Sequence, residues 1–277
     1  MEKIANELFV SDYQSQGHVF PLQVISAQQA ATYLCDFNAM MQQLGDQRLG
    51  YKAQINQVHV VARFASEIVR NPAILDAVEA IIGPDILVWG STFFLKPPQS
   101  KGFVSWHQDL RYWGLADSEA LVSAWLALGP VNRDNGCMQF LPGSHAAGLV
   151  EHVDQFESDN ILTRGQHARV APDEEEIVHV ELEAGQMSLH HGYLLHASAP
   201  NHSTQPRIGY NINFIAPHNR QVVAQTDYAM LVRGEDKHGH FTLVPPPEVD
   251  FDEAAMTWHK RILDALDETI YQGVKPT

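Results

Sequence analysis

Cysteine is nearly absent from this chain. Cys35 and Cys137 are the two in 277 residues, and they make neither a disulfide framework nor a CxxC pair. A reducing, cytoplasmic setting is the expectation that follows. Long apolar runs are missing as well: the longest, such as Ile86 to Trp89 and Ala124 to Leu128, fall far short of the ~20 residues that a membrane span needs. Met1 to Val10 carries Glu2 and Glu7 and no signal-peptide core, so nothing in it argues for export. Basic residues are scarce, 18 Lys and Arg against 33 Asp and Glu, and the resulting net charge of -15 repels phosphate backbones and anionic lipid. Neither nucleic acid nor a membrane surface is an expected partner; a small molecule is. Three common enzyme signatures are also lacking: the GxSxG elbow, the GxxxxGK[ST] loop and a GxGxxG turn after a strand.

Histidine, by contrast, is plentiful, with 15 copies, so spacing must select the ones that matter. The remaining composition, 45% hydrophobic and 18% charged, is that of an ordinary globular chain, and no repeat or linker divides it, so a single domain over 1–277 is expected. Its N-terminal part, about 1–84, reads as helical. Ser26 and Gln29 form a capping-box pattern ahead of a helix running to about Leu44, a second helical pattern covers Val58 to Val69, and Asn71-Pro72 opens a third that Gly83 closes. From about 85 to 216 the chain turns to short β-rich runs: Ile86 to Lys96, Val122 to Leu128, Met138 to Leu141, Ile177 to Leu182, Gln186 to His190 and Ile208 to Ile215. Breaks of Pro and Gly between them predict an antiparallel sandwich or jelly roll, mainly β with flanking helices. The acidic run Asp173 to Glu176 reads as a solvated loop. In the last part, about 217–277, the polar, Gly-containing segment Leu231 to Phe241 is a candidate lid. A helix is predicted over Phe251 to Tyr271, capped by Asp250 or Asp252, stopped by Gly273 and packed on the outside of the sheet through Ala255, Trp258, Ile262, Leu266 and Ile270.

Three short patterns carry chemistry. In Trp106-His107-Gln108-Asp109 an imidazole and a carboxylate stand at i and i+2, which in an extended segment puts both on one face of the backbone, able to grip one ion. In Gly185 to Ser198 a strand leads through a turn, and His190, His191 and His196 compete as a further ligand. Two histidines and one carboxylate suit Fe(II) and leave positions open for O₂ chemistry. In Arg207-Ile208-Gly209-Tyr210-Asn211-Ile212-Asn213-Phe214 alternation sends Ile208, Tyr210, Ile212 and Phe214 to a packed face, and Arg207, Gly209, Asn211 and Asn213 to a polar cavity. A guanidinium there is matched to a carboxylate.

Taken together, His107-x-Asp109, Trp125, Asn135-Gly136-Cys137 followed by Pro142-Gly143-Ser144-His145, and His196-x-Ser198 with Arg207 eleven residues after the histidine resemble the phytanoyl-CoA dioxygenase family. The resemblance spans roughly Phe9 to Ile215. It implies a double-stranded β-helix of cupin-like form and an enzyme, an oxidoreductase that uses Fe(II), 2-oxoglutarate and O₂ to hydroxylate or otherwise oxidise a small molecule. It implies His107, Asp109 and His196 as iron ligands, leaving His190 and His191 to supporting roles. Arg207 matches the residue on the far carboxylate of 2-oxoglutarate, with Ser198, Trp125, Gln108 and Thr92 as further co-substrate contacts. Pro142 to His145 reads as a turn. Halogenating relatives replace the carboxylate ligand with a small residue; Asp109 is present, which favours hydroxylation. Tyr112, Trp113, Asn211 and Asn213 are the candidate substrate contacts. An acyl-CoA is disfavoured as substrate because CoA is a polyanion and the chain is strongly acidic. Two other readings of the same ligands are a zinc hydrolase and a non-enzymatic cupin-type binding module.

Overall fold

In the computed structural model, which describes residues 7–45, 49, 54–155 and 157–270, the chain opens with α1 (Glu7–Gln16) and β1 (His18–Gln23), two elements the patterning does not announce. Pro21 reads against a strand, but β1 lies at a sheet edge and its register shifts between Val19 and Leu22, which are the places where proline is tolerated. The next helix, α2 (Ala27–Leu44), begins as expected. The Ser26 hydroxyl accepts from the Gln29 N–H while the Gln29 carboxamide accepts from the Ser26 N–H. After β2 (Gln54–Asn56), the helix expected from Val58 starts later, as α3 (Arg63–Val69). Gln57 sits in the left-handed region at φ 58, and the β-branched Val58, Val60 and Val61 form a buried 3₁₀ turn and its exit instead. In α4 (Pro72–Ile82), Asn71 accepts from the Ala73 N–H, Pro72 occupies the first turn, and Gly83 ends the helix at φ 89.

The strands follow: β3 (Ile86–Lys96), β4 (Val104–His107), β5 (Leu121–Ala127), β6 (Met138–Phe140), β7 (His152–Asp154), β8 (Gln166–Ala168), β9 (Val178–Val180), β10 (Gln186–His190), β11 (His196–Ser198), β12 (Arg207–Ile215), β13 (Tyr228–Arg233) and β14 (Thr242–Leu243), before the helix α5 (Glu253–Ile270). The major sheet has the order β1-β10-β5-β12-β3-β13-β14, with β2 also paired to β3; the minor sheet is β4-β11-β6-β9; β7 and β8 form a separate ribbon. The architecture is a jelly-roll core of two mainly antiparallel sheets with flanking helices. β12 shows why. Its Ile208, Tyr210, Ile212 and Phe214 pack with Phe37 of α2, Ile68 of α3 and Ile74 of α4 in the principal core, while Arg207, Asn211 and Asn213 of the opposite face line a cavity between the sheets.

Two expectations are corrected. The candidate lid begins as structure: Leu231 to Arg233 belong to β13, which pairs with β3, and Arg233 is held by Asp76 and Glu79 of α4. Backbone pairing and two ion pairs tie that part of the segment to the sheet and to α4. Nor does α5 lie wholly outside the sheet. Its Ile262 packs with Val60 and Val244, and its last residues, Leu266 and Ile270, line the cavity, where Arg164 holds the Ile270 carbonyl at 2.8 Å. The Asp252 carboxylate accepts from the Ala255 N–H at the start of α5; Tyr271 and the expected stop at Gly273 lie outside the described residues, as does Met1 to Asn6 of the opening stretch. The run Asp173 to Glu176 is a short capped 3₁₀ turn at the surface, with no buried residue.

Beneath the major sheet, buried His59 faces Ser91 Oγ at 2.7 Å, and Ser91 also accepts from Tyr210 Oη at 2.9 Å. Burial, with His259 nearby, pushes the His59 imidazole down from 6.5 to about 3. The unfolded chain therefore takes up a proton below pH 6.5 that the folded chain refuses until about pH 3. The stabilisation is complete above the unfolded value and is lost as the pH falls, about 2 kcal/mol of it by pH ~5 from this one group. Urea unfolding at about pH 7 and about pH 5 should show a fall at least that large, and His59→Gln should shrink it by about 2 kcal/mol; an equal slope in the variant would show that His59 is not responsible.

Candidate metal centre

The minor sheet brings the two halves of the centre together. His107 is the last residue of β4 and His196 the first of β11, and the antiparallel register sets them directly opposite each other, with ring centroids 4.0 Å apart. Gln108 continues the extended backbone (φ -123, ψ 126), so Asp109, although it starts a 3₁₀ turn, leaves the same face as His107. His107 Nε2 lies 3.4 Å and His196 Nε2 3.7 Å from Asp109 Oδ1, and one ligand atom from each of the three residues falls within 4.8 Å of the others. Among the described residues this is the one such group of three or more His, Cys, Asp or Glu.

Backbone carbonyls fix which nitrogens point inward. His107 Nδ1 faces the carbonyl oxygens of Ser105 (2.9 Å) and His196 (3.1 Å), and His196 Nδ1 faces that of Leu194 (3.0 Å). A carbonyl can only accept, so each Nδ1 carries the hydrogen and each Nε2 turns a lone pair toward the common point, the tautomer a metal requires. The Asp109 carboxylate is steadied by Ser123, whose hydroxyl donates to Oδ2 at 3.1 Å. Burial opposes its ionisation, but His196, His107 and His190 around it hold the carboxyl well below the usual range. Burial and the neighbouring His107 push His196 down to about 3, keeping it neutral. The donor set is thus two imidazole Nε2 atoms and an ionised carboxylate, which fits a divalent iron with open positions.

His190 and His191 take the outer places. His190 Nε2 is 3.5 Å from Asp109 Oδ2, behind the triad. His191 pairs with Glu119 at 3.2 Å and receives the Tyr193 N–H on Nδ1.

The same cavity holds the rest of the expected site. Trp125, Ser198 and Arg207 line one end. The Trp125 ring lies under the Arg207 guanidinium at 5.2 Å, flat against Gly209, where an added Cβ would come within 1.7 Å of it. Arg207 is buried, its Nε has no hydrogen-bond partner among the described residues, and no Asp or Glu there lies within ion-pair distance of it. Thr92 also lines the cavity and accepts from the Asn56 amide at 3.0 Å. Gln108 departs from expectation. Its Nε2 donates to the carbonyls of Gly148 and Tyr193, and its Oε1 accepts from the Val150 N–H. Its polar atoms are committed to bracing loops, so it shapes the wall rather than offering a free group to a co-substrate. Tyr112, Trp113, Asn211 and Asn213 all line the cavity. Tyr112 donates to Asp154 at 3.2 Å, Trp113 sits 5.2 Å from Trp89, and Asn211 donates to Asn213 at 2.9 Å.

Sequence reasoning missed Ser123, Lys96, Trp89, the amides Gln54, Asn56 and Gln57, and Leu266 and Ile270 of α5. Lys96 had a signal, a charged residue ending an apolar strand before Pro97-Pro98. The amides had none, since they sit in a three-residue strand and its exit.

A double-stranded β-helix with a His-x-Asp…His centre between its sheets defines the class of mononuclear non-haem metal proteins. Within it, residues 13–209 match the phytanoyl-CoA dioxygenase (PhyH) family, and the chain belongs to that family. It is 34% identical over 154 residues to the peroxisomal phytanoyl-CoA dioxygenase of Bos taurus, a match covering 52% of this chain and 43% of that protein, so the chain spans less than half the length of this curated relative. Among solved structures it is similar to the non-haem monooxygenase ThoJ in its apo form, with 34% identity, a TM-score of 0.85, and coverage of 95% of this chain and 98% of that one. It also shares its fold with CytC3, solved with Fe(II) and alpha-ketoglutarate, at 18% identity and a TM-score of 0.67, over 91% and 98% of the two chains.

Titration of metal-free protein with Co(II), followed by visible absorption, should give one site per chain. His107→Ala, Asp109→Ala and His196→Ala should each abolish it, while His190→Gln should keep the stoichiometry. Ser123→Ala should weaken binding about tenfold, because an outer partner that orients a ligand carboxylate is removed.

Proposed function

We propose that the protein is an Fe(II)- and 2-oxoglutarate-dependent dioxygenase that hydroxylates, or otherwise oxidises, a small organic molecule, with succinate and CO₂ as coproducts. The observation that carries this reading is that the His107, Asp109 and His196 donors and the buried, carboxylate-free Arg207 open onto one cavity. A zinc hydrolase would use the same three donors but leaves Arg207 without a purpose, and family membership supports the oxygenase.

Bound Fe(II), 2-oxoglutarate and O₂ together supply an oxidant able to break a C–H bond. The protein contributes geometry. His107, Asp109 and His196 would hold the metal on one side, leaving the cavity side for co-substrate and O₂. Arg207, with Ser198, would hold the far carboxylate of 2-oxoglutarate, Trp125 would wall it and Thr92 would border it. Asn211 and Asn213, together with Tyr112 and Trp113, would position the substrate, and the apolar Leu266 and Ile270 would keep water from the reacting bond.

The cavity opens to solvent and, with its mouth counted, spans about 1070 Å³ of space. Asp109 and Arg207 are the Asp, Glu, Lys or Arg side chains that line it; the remaining wall is aromatic, imidazole, aliphatic, hydroxyl or amide. That lining suits an uncharged substrate, and it offers nothing to neutralise the phosphates of a CoA ester. Asn211 Oδ1 and Gln57 Oε1, buried without partners among the described residues, are acceptors for N–H or O–H groups on it. No described helix is long and apolar enough to cross a membrane, and the free Cys35 and Cys137 support a reducing, cytoplasmic setting.

Anaerobic addition of Fe(II) and then 2-oxoglutarate should produce a weak visible charge-transfer band that His107→Ala abolishes; a zinc hydrolase would show none. In air, slow substrate-free conversion of 2-oxoglutarate to succinate should follow. Asp109→Ala should remove that turnover, and Arg207→Met should raise the KM for 2-oxoglutarate about a hundredfold. Succinate formation unchanged in Asp109→Ala would overturn the assignment.

A further inference from the structure

We propose that Lys96 is a positioning residue for the co-substrate's far carboxylate, the second cation of the anion pocket, acting on the bound carboxylate through Ser198. The proposal rests on the reading of Arg207 as the carboxylate anchor and extends it to a residue that does not itself line the cavity.

Lys96 is fully buried at the end of β3, directly opposite Arg207 in the β3–β12 ladder. Two buried basic side chains therefore stand side by side. Among the described residues neither has an Asp or Glu within ion-pair distance, so the pair lacks the compensating charge that buried cations require. The other titratable group felt by Lys96 is Cys137, whose thiol burial pushes up to about 11 and so keeps neutral. Lys96 Nζ donates instead to two neutral oxygens, Ser198 Oγ at 2.6 Å and the Ala199 carbonyl. Gly136 leaves room for this arrangement: an added Cβ there would lie 2.3 Å from the Ala199 oxygen and 3.1 Å from Lys96 Nζ.

Those bonds dictate what Ser198 can do. Its oxygen already accepts from Lys96, so its own hydroxyl hydrogen is left to donate elsewhere. Ser198 and Arg207 both line the cavity, and Lys96 is hydrogen-bonded to the first and paired in the ladder with the second. A carboxylate docked there receives the guanidinium from one side and the Ser198 O–H from the other, and the charge behind Ser198 strengthens that second bond.

A proton balance follows. Burial and the adjacent Arg207 push the Lys96 ammonium down to about 6, so above that pH the ligand-free pocket holds Lys96 largely as the neutral amine. A carboxylate entering the pocket favours the charged form, and Lys96 takes one proton from solvent as it binds. The sign is fixed: affinity for 2-oxoglutarate is greatest below the ligand-free value and declines, by up to tenfold per pH unit, as the pH rises from there toward the liganded value.

The test is calorimetry of Fe(II)-loaded protein with 2-oxoglutarate under nitrogen at about pH 7.5, in phosphate and in Tris, whose ionisation heats differ and so reveal proton uptake. The wild type should take up close to one proton per ligand. Lys96→Met should lose that uptake and bind about tenfold more weakly, and Ser198→Ala should cost less in that background than in the wild type, because Lys96 acts through the Ser198 hydrogen bond. Normal binding by Lys96→Met with proton uptake intact would overturn the proposal. If the variant does not fold, the wild type decides alone: tight binding with no proton uptake and no pH dependence from pH ~6.5 to ~8 would overturn it. Absence of 2-oxoglutarate binding by the wild type would instead sink the parent reading, and with it this one.

Discussion

The pairing of β11 against β4 is the contact on which the site depends. Neither strand is long, three and four residues, and each would be worthless alone. Paired in the observed register they set His196 against His107, and a slip of one residue would turn one of the two imidazoles to the other face of the sheet. The same ladder supplies the His196 carbonyl that accepts from His107 Nδ1, so backbone pairing fixes not only where the rings stand but which nitrogen of the first is free. β6 on the far side of β11 holds the register from the second edge.

Charge is distributed in the cavity with the same economy. The negative group, Asp109, is surrounded by imidazoles at one end, and the positive one, Arg207, rests on Trp125 at the other, with amides and aromatic rings between. A carboxylate suits the guanidinium, and a group able to bind a metal suits the other donors. Whatever occupies the remaining volume meets dipoles and ring faces.

Much of this was legible in the chain itself. Alternation over 207–214 separated the packed from the cavity-facing residues of β12, and the capping chemistry of Ser26 and Asn71 placed two helix starts. The i, i+2 spacing put His107 and Asp109 together because Gln108 is extended, as that argument assumes. The choice of His196 over His190 and His191 was not legible from local pattern. It depends on a pairing between residues 89 positions apart, and only resemblance pointed to it. The partners of Gln108 were hidden for a related reason: only the positions of Gly148, Val150 and Tyr193 show that its amide also holds loops together. The contribution of α5 was hidden because its apolar stripe says that one face is covered, not by what.

That last helix has a consequence for how the centre is made. The three donors of the candidate centre and Arg207 lie between residues 107 and 207, whereas Leu266 and Ile270, and the carbonyl that Arg164 grips, come much later in the chain. During synthesis the sheets can therefore assemble with one wall still missing. The wall over that side of the cavity is thus the last part of it to leave the ribosome.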